Sequence, residues 1–371
     1  MRQEQAVSRA GTVKKWRLVL ALSLAVVGTL DQSRGQTPAS NVVLITLDGF
    51  RWQEMFAGAD RDYFKRNNKG EIDPVSQKYA GATPAERRAK LMPFMWSVIA
   101  KQGQLFGDPA ERSVSHVTNG LWFSYPGYNE MFSGAADPRI DSNNKIPNPN
   151  TTVFEWLNSR PGFAGKVVAF GAWDVLPSIL NSERSHVPVG GGFLPVTAPT
   201  TAREREINEL ALDLPAYLPY GTFDAPIVYA AIESLKTRKP RVLYLMLGEG
   251  DEWAHAERYD LYLDASRRAD RFIERVWTTL QSLPEYKNNT TLLVTTDHGR
   301  GATTRDWSDH GRDVPAAKNT WIAALGPAVP PLGVRKNTTV TTSQMAATLA
   351  LVVGEDFRSA RPAIAPPLPL R

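Results

Sequence analysis

Leu292–Gly299 reads Leu-Leu-Val-Thr-Thr-Asp-His-Gly, and the fold follows from how this stretch is interpreted. A short apolar and β-branched run suits a strand buried on both faces. The run stops abruptly at Asp297, His298 and Gly299. Taken alone, Asp-His-Gly is ordinary turn chemistry. The same pattern recurs, however. Asn41–Phe50 (Asn-Val-Val-Leu-Ile-Thr-Leu-Asp-Gly-Phe) is a second apolar run, closed by Asp48 and Gly49. Arg241–Leu247 is a third, followed by Gly-Glu-Gly-Asp-Glu-Trp-Ala-His with Asp251 and His255. In open α/β sheets, ligands sit outside the carboxyl ends of the strands. Three strand ends that each deliver acids or imidazoles predict one metal site assembled from distant segments.

Outward from these runs, strands alternate with helical patterns. The expectation is an α/β fold with a mostly parallel central sheet and helices on both faces, in three layers. Helices are expected over Leu91–Gln102, Thr152–Asn158, Phe223–Lys236 and Tyr259–Leu283, the last long and amphipathic. Lys166–Phe170 reads as a strand and Val114–Phe123 as extended. Asn319–Leu325 reads as the last strand and Thr341–Val353 as the last helix. Residues 173–222, rich in proline and carrying Gly190-Gly191-Gly192, read as an irregular cap-like insertion over the site. The expected organisation is a leader over 1–39, one catalytic domain over 40–355, and a Pro-rich tail over 356–371, disordered from Arg361.

The chain has 371 residues, 42% of them hydrophobic, enough for one large domain or two smaller ones. Its formal charge of +5 is concentrated at one end: residues 1–39 hold six Lys or Arg and two acids, a net +4, leaving about +1 elsewhere. That distribution gives no electrostatic case for nucleic acid. Lys14, Lys15 and Arg17 precede an apolar run, Leu18–Leu30, too short to span a bilayer comfortably. The pattern is that of an export signal, with an uncleaved anchor as the alternative. A periplasmic or secreted protein is expected. Cysteine is absent, which excludes disulfides and thiolate ligands or nucleophiles.

Asp251 and His255 lie four apart, so on a helix both face one side and can hold one ion. Asp297 and His298 are adjacent where a strand bends into its turn, and His310-Gly311 sits in a polar loop before the last predicted strand. With Asp48 and a serine, Ser124, these groups make two sets of oxygen and nitrogen ligands. That chemistry suits Zn²⁺, and Mn²⁺ less well. Asn119 and Asn129 flank Ser124, and either could donate to a substrate oxygen. Arg51 and Arg300 could bind a charged substrate.

In order, Asp48-Gly-Phe, the stretch Ser124-Tyr-Pro ending in Gly134, Asp251-x-x-x-His255, Asp297-His-Gly and His310-Gly resemble the motifs of the alkaline phosphatase superfamily. The similarity runs from about residue 41 to 353 and looks closest to the nucleotide pyrophosphatase/phosphodiesterase branch, which has Thr-Phe-Pro where this chain has Ser124-Tyr125-Pro126. The resemblance implies one ion on Asp251, His255 and His310, and another on Asp48, Asp297, His298 and the Ser124 hydroxyl. It implies a phosphate-ester hydrolase with Ser124 as nucleophile. A dication beside a serine favours its alkoxide, and two ions about 4 Å apart can clamp both apical oxygens of an in-line displacement. Ala254 and Arg300 depart from the branch pattern, where glycine and an apolar residue are usual.

Other readings share the architecture. A sulfatase needs Cys or Ser in a C/S-x-P-x-R setting, and Tyr128 stands where that arginine belongs. A cofactor-independent phosphoglycerate mutase carries a large insertion for which the interval from Ser124 to Asp251 is too short. A non-catalytic protein with a relic site would have lost a ligand or the nucleophile, and all seven positions are filled. If the leader is cleaved, N-terminal sequencing of exported protein should place the first residue between about Leu30 and Ser40; an intact Met1 on a cytosolic product would contradict it.

Overall fold

The computed structural model describes residues 39–215 and 221–371; the basic and apolar leader lies outside them. The described residues form one compact unit. Ten strands occur in the described chain: β1 (Asn41–Leu47), β2 (Gln104–Phe106), β3 (Val114–His116), β4 (Val167–Gly171), β5 (Val189–Gly191), β6 (Val242–Leu247), β7 (Thr290–Thr295), β8 (Ile322–Leu325), β9 (Gly333–Val334) and β10 (Thr339–Thr341). Eight of them form one sheet in the order β5-β4-β6-β1-β7-β8-β2-β9, and β10 pairs with β3 apart from it. From β5 to β7 every pairing is parallel; β8 runs antiparallel to both neighbours.

The three apolar runs singled out in the sequence are the three central strands. All residues of β1, β6 and β7 are buried. Alternate side chains feed opposite faces, as the two-residue period of a strand requires. Val43, Ile45 and Leu47 enter one core with the helices Asp224–Thr237 and Tyr259–Ser282. Val42 and Leu44 enter the other with the helices Ser124–Ser133, Val153–Asn158 and Gln344–Val352. The result is the expected mostly parallel sheet between two helical layers.

Register then positions the chemistry. Leu47 lies beside Leu247 and Thr46 beside Thr295. Asp48, the turn leading to Asp251, and Asp297 therefore emerge side by side at one edge of the sheet.

Several expectations need correction. Residues 173–222 are not simply irregular. They contain β5, which extends the main sheet, and the helix Ala202–Asp213, opened by a capping box between Thr201 and Glu204. The short length of β5 and its glycines hid it. The segment expected as the last strand is followed by β9 and β10, and Val114–Phe123 is a strand only as far as His116.

The tail is ordered, not disordered. Phe357–Ala360 is helical, and Ile364, Leu368 and Leu370 are buried in the second core. Ala365 N–H donates to the Gly134 carbonyl, Leu368 N–H to Thr348, and the Gln104 amide to the Leu370 carbonyl. Prolines kept this segment from helix or strand but did not keep its apolar side chains from the core. Ile364→Ala or Leu368→Ala should each cost about 2–5 kcal/mol, read as a lower urea midpoint at unchanged slope; midpoints equal to wild type would show the tail contributes no packing.

Candidate active site

At the carboxyl edge of the sheet, Asp48 follows β1, and Asp297 and His298 follow β7. His298 Nε2 lies 3.4 Å from Asp48 Oδ1 and 3.5 Å from Asp297 Oδ2. All three side chains are buried, and neither of those carboxylate oxygens accepts a hydrogen bond. The remaining oxygens are held: Tyr128 Oη donates to Asp48 Oδ2 at 3.0 Å, and Gly49 N–H to Asp297 Oδ1 at 3.1 Å. His298 Nδ1 is 2.8 Å from the Gly299 carbonyl, which fixes the ring with Nε2 aimed at the two carboxylates.

Electrostatics there are severe. Burial, then the charge of Asp48, pushes the Asp297 carboxyl up to about 7. Burial works against a charged His298, yet Asp297 and Asp48 push it up to about 9. The group thus draws a positive charge to itself, which a proton or a metal cation can supply.

A second group stands beside it. The helix Glu249–His255 carries Asp251 and His255 on one face, with His255 Nε2 3.2 Å from Asp251 Oδ2. His310 completes it, its Nε2 3.1 Å from that of His255. Two imidazole nitrogens at that distance share at most one proton, and burial, followed by the charges of His298 and Arg300, pushes the pKa of His310 down. In each group one ligand atom per residue lies within 4.8 Å of the others. The His310 and His298 rings are 4.2 Å apart, so the groups adjoin. Carboxylates and imidazoles converging in this way fit two divalent cations.

Ser124 opens its helix at the meeting point, with Oγ 3.4 Å from His298 Nε2. The chain reaches it through a strained turn: Trp122 has φ +51°, unusual for a bulky residue. Glu130 holds the approach by accepting from Thr118 N–H and Oγ, and Gly311 N–H donates to the Trp122 carbonyl, tying the His310 loop to it. Two glycines give the groups room. A Cβ on Gly127 would lie 2.6 Å from the Asp297 carbonyl; one on Gly49, at φ +58°, would lie 2.7 Å from Asp251 Oδ1.

The seven ligand candidates are thus brought together, whereas several of the flanking residues are engaged within the protein. Asn119 Oδ1 accepts from Leu121 and Trp122 N–H and shapes the turn, while its NH₂ has no hydrogen-bond partner. Asn129 is fully buried and accepts from Asn148 and Asn150. Arg300 is buried, with its guanidinium on the Asp251 carboxylate and the Ser308 carbonyl. Arg51 is buried too, 3.2 Å from Glu54. In their place, a pocket of about 360 Å³ over Ser124 is lined by Asn143, Trp173, Thr222 and Glu252. Trp173 follows β4, so the strand-end rule could have found it. Asn143 lies in an Asn/Pro-rich loop that carries no such signal; its Oδ1 accepts from Tyr125 N–H at 3.0 Å.

Known proteins share a sequence family and a fold with this chain. Residues 218–318, which span Asp251 to His310, match the model of the metalloenzyme superfamily. A solved structure titled as a protein in the alkaline phosphatase superfamily from Vibrio parahaemolyticus superposes with a TM-score of 0.51 over 86% of this chain and 68% of its own, at 13% identity. The fold is that of the alkaline phosphatase superfamily. Phosphonate monoester hydrolase of Agrobacterium radiobacter superposes with a TM-score of 0.51 at 13% identity, over 86% of this chain and 74% of that one. Ps i-CgsB in complex with k-i-k-neocarrahexaose gives 0.55 at 13% identity, over 89% and 75%. No curated protein sequence matches. Superfamily members are metal-dependent hydrolases and transferases, and the two ligand groups sit where this fold's strand ends converge.

Gly49→Ala should strain the backbone by about 1–2 kcal/mol and displace the Asp251 carboxylate. Elemental analysis of the folded variant should show lower metal content than wild type. Equal content would mean the tight passage at Gly49 does not shape the second group.

Proposed function

We propose that this chain is an exported hydrolase of phosphate esters that works through Ser124 as nucleophile. The observation that carries the reading is the position of Ser124 Oγ, on a strained helix start at the junction of two cation-drawing ligand groups. Its runner-up, a sulfatase, has no support in the Ser124 surroundings, since Tyr128 is buried on Asp48 where an arginine would be needed.

Asp48, Asp297 and His298 would hold one divalent ion with Ser124, and Asp251, His255 and His310 the other. Zinc suits the nitrogen and oxygen donors, with manganese the alternative. Bound there, such ions favour the deprotonated serine and offset negative charge on the phosphoryl oxygens. The chain's own groups do the rest. Ser124 Oγ bonds to phosphorus as the P–O bond to the alcohol breaks, and the serine's proton ends on the departing alcohol. Water then cleaves the phosphoserine, releasing phosphate or its monoester and restoring Ser124. Asn143, whose NH₂ donates to no described residue, is placed to hold a phosphoryl oxygen.

The pocket lining favours diesters. Apart from Asp48 and Asp251, which the ions would engage, the described lining carries the acid Glu252 and neither lysine nor arginine. A monoester dianion would meet that negative charge with no side-chain cation to offset it, whereas a diester brings one charge fewer. Trp173 and Thr222 line the same pocket, where the ester's organic group can pack.

Metal-reconstituted protein should hydrolyse bis-p-nitrophenyl phosphate faster than p-nitrophenyl phosphate, and p-nitrophenyl sulfate slowest. Ser124→Ala should keep its fold and most of its metal but lose on the order of 10³-fold in rate, and Ser124→Thr should retain much more. A Ser124→Ala enzyme turning over diesters at near wild-type rate would show that water, not Ser124, attacks phosphorus.

A further inference from the structure

We propose that Arg300 makes the two cation positions unequal, so that the Asp48–Asp297–His298 group fills first and tightly and the Asp251–His255–His310 group fills second and reversibly. The proposal rests on the two-ion reading above and goes beyond it by ordering the ions.

Ligand charge differs first. One group has two carboxylates and an imidazole; the other has a single carboxylate and two imidazoles. That single carboxylate is already shared. Arg300 Nη2 donates to Asp251 Oδ1 and to the Asp251 carbonyl, which leaves Oδ2, 3.2 Å from His255 Nε2, as the oxygen free for an ion. At neutral pH the guanidinium held against Asp251 is charged, so it both occupies a lone pair and repels an incoming dication.

The contact is built into the fold. Arg300 is 1% exposed, and its Nη1 donates to the Ser308 carbonyl, so the side chain has no path into water. Space for the ion pair exists only because residue 49 is glycine: a Cβ there would stand 2.7 Å from Asp251 Oδ1 and 2.9 Å from Arg300 Nε.

Access differs in the same direction. The Asp297 and His298 side chains are fully buried, whereas the His255 side chain is 49% exposed. An ion on the second group can therefore exchange with solvent without unfolding its surroundings. Occupancy of that group, and with it the competence of the site, would follow the free metal concentration. Arg300 acts here as a positioning residue, through Asp251.

Stepwise zinc binding to the metal-stripped full chain, followed by calorimetry and by competition with a chromophoric chelator, tests this without reference to turnover. Two constants separated by about 100-fold or more are expected. His255→Ala, at an exposed position, should lose only the weaker ion; Asp297→Asn should weaken the tighter one. Arg300→Met should tighten the second ion by about tenfold or more, while Arg300→Lys, which keeps the charge, should stay near wild type. Two equal constants in wild type, loss of the tighter ion in His255→Ala, or an unchanged second constant in folded Arg300→Met would each overturn the proposal. If Arg300→Met fails to fold, the wild-type and His255→Ala titrations still decide. A chain that takes up no zinc would instead overturn the two-ion reading itself.

Discussion

Two carboxylates buried against each other are the constraint on which this structure depends. Asp48 and Asp297 lose their hydration at the end of the sheet, and each carries an oxygen with no hydrogen bond. Charge of one sign in such a place is costly unless a cation answers it. The surroundings are arranged to receive one: the His298 ring is aimed by the Gly299 carbonyl, the second oxygens are anchored by Tyr128 and Gly49, and the Ser124 hydroxyl faces the same point. The parallel register of β1 with β6 and β7 creates this concentration of charge.

Segments far apart in sequence are locked to one another at this edge. Gly127 packs directly on the Asp297 backbone, the Trp122 carbonyl accepts from Gly311, and Arg300 joins the end of β7 to the helix bearing Asp251. Each tie joins a residue of one ligand group, or its neighbour, to another element. Ser124 and both groups are thereby a single unit, tied by backbone contacts and by the buried Arg300 side chain.

Much of this was legible in the sequence. The strands β1, β6 and β7 announce themselves as unbroken apolar runs; Asp48, Asp297 and His298 stand just beyond strand ends, Asp251 and His255 on the helix that follows β6, and His310 in the polar loop before β8. What could not be read is what side chains do once charged groups find partners. Arg300 and Arg51 look like surface arginines but are buried on Asp251 and Glu54. Asn129 looks like a donor near the serine, yet loop geometry consumes it. The edge strand β5 has three residues, two of them glycine, and no periodicity to reveal it. The tail's leucines and isoleucine are spaced by prolines, so neither helical nor strand period marks them as core.

The fold is that of the alkaline phosphatase superfamily, and the pocket over Ser124, acidic and partly apolar, is what favours diesters in the proposed chemistry. That chemistry stands on two cations in adjoining positions. Anomalous diffraction at the zinc edge, from crystals grown with zinc, tests the point most directly. The account predicts two peaks about 4 Å apart, one among Asp48, Asp297 and His298 and one among Asp251, His255 and His310. A single peak, or ions bound elsewhere with these side chains unengaged, would contradict it.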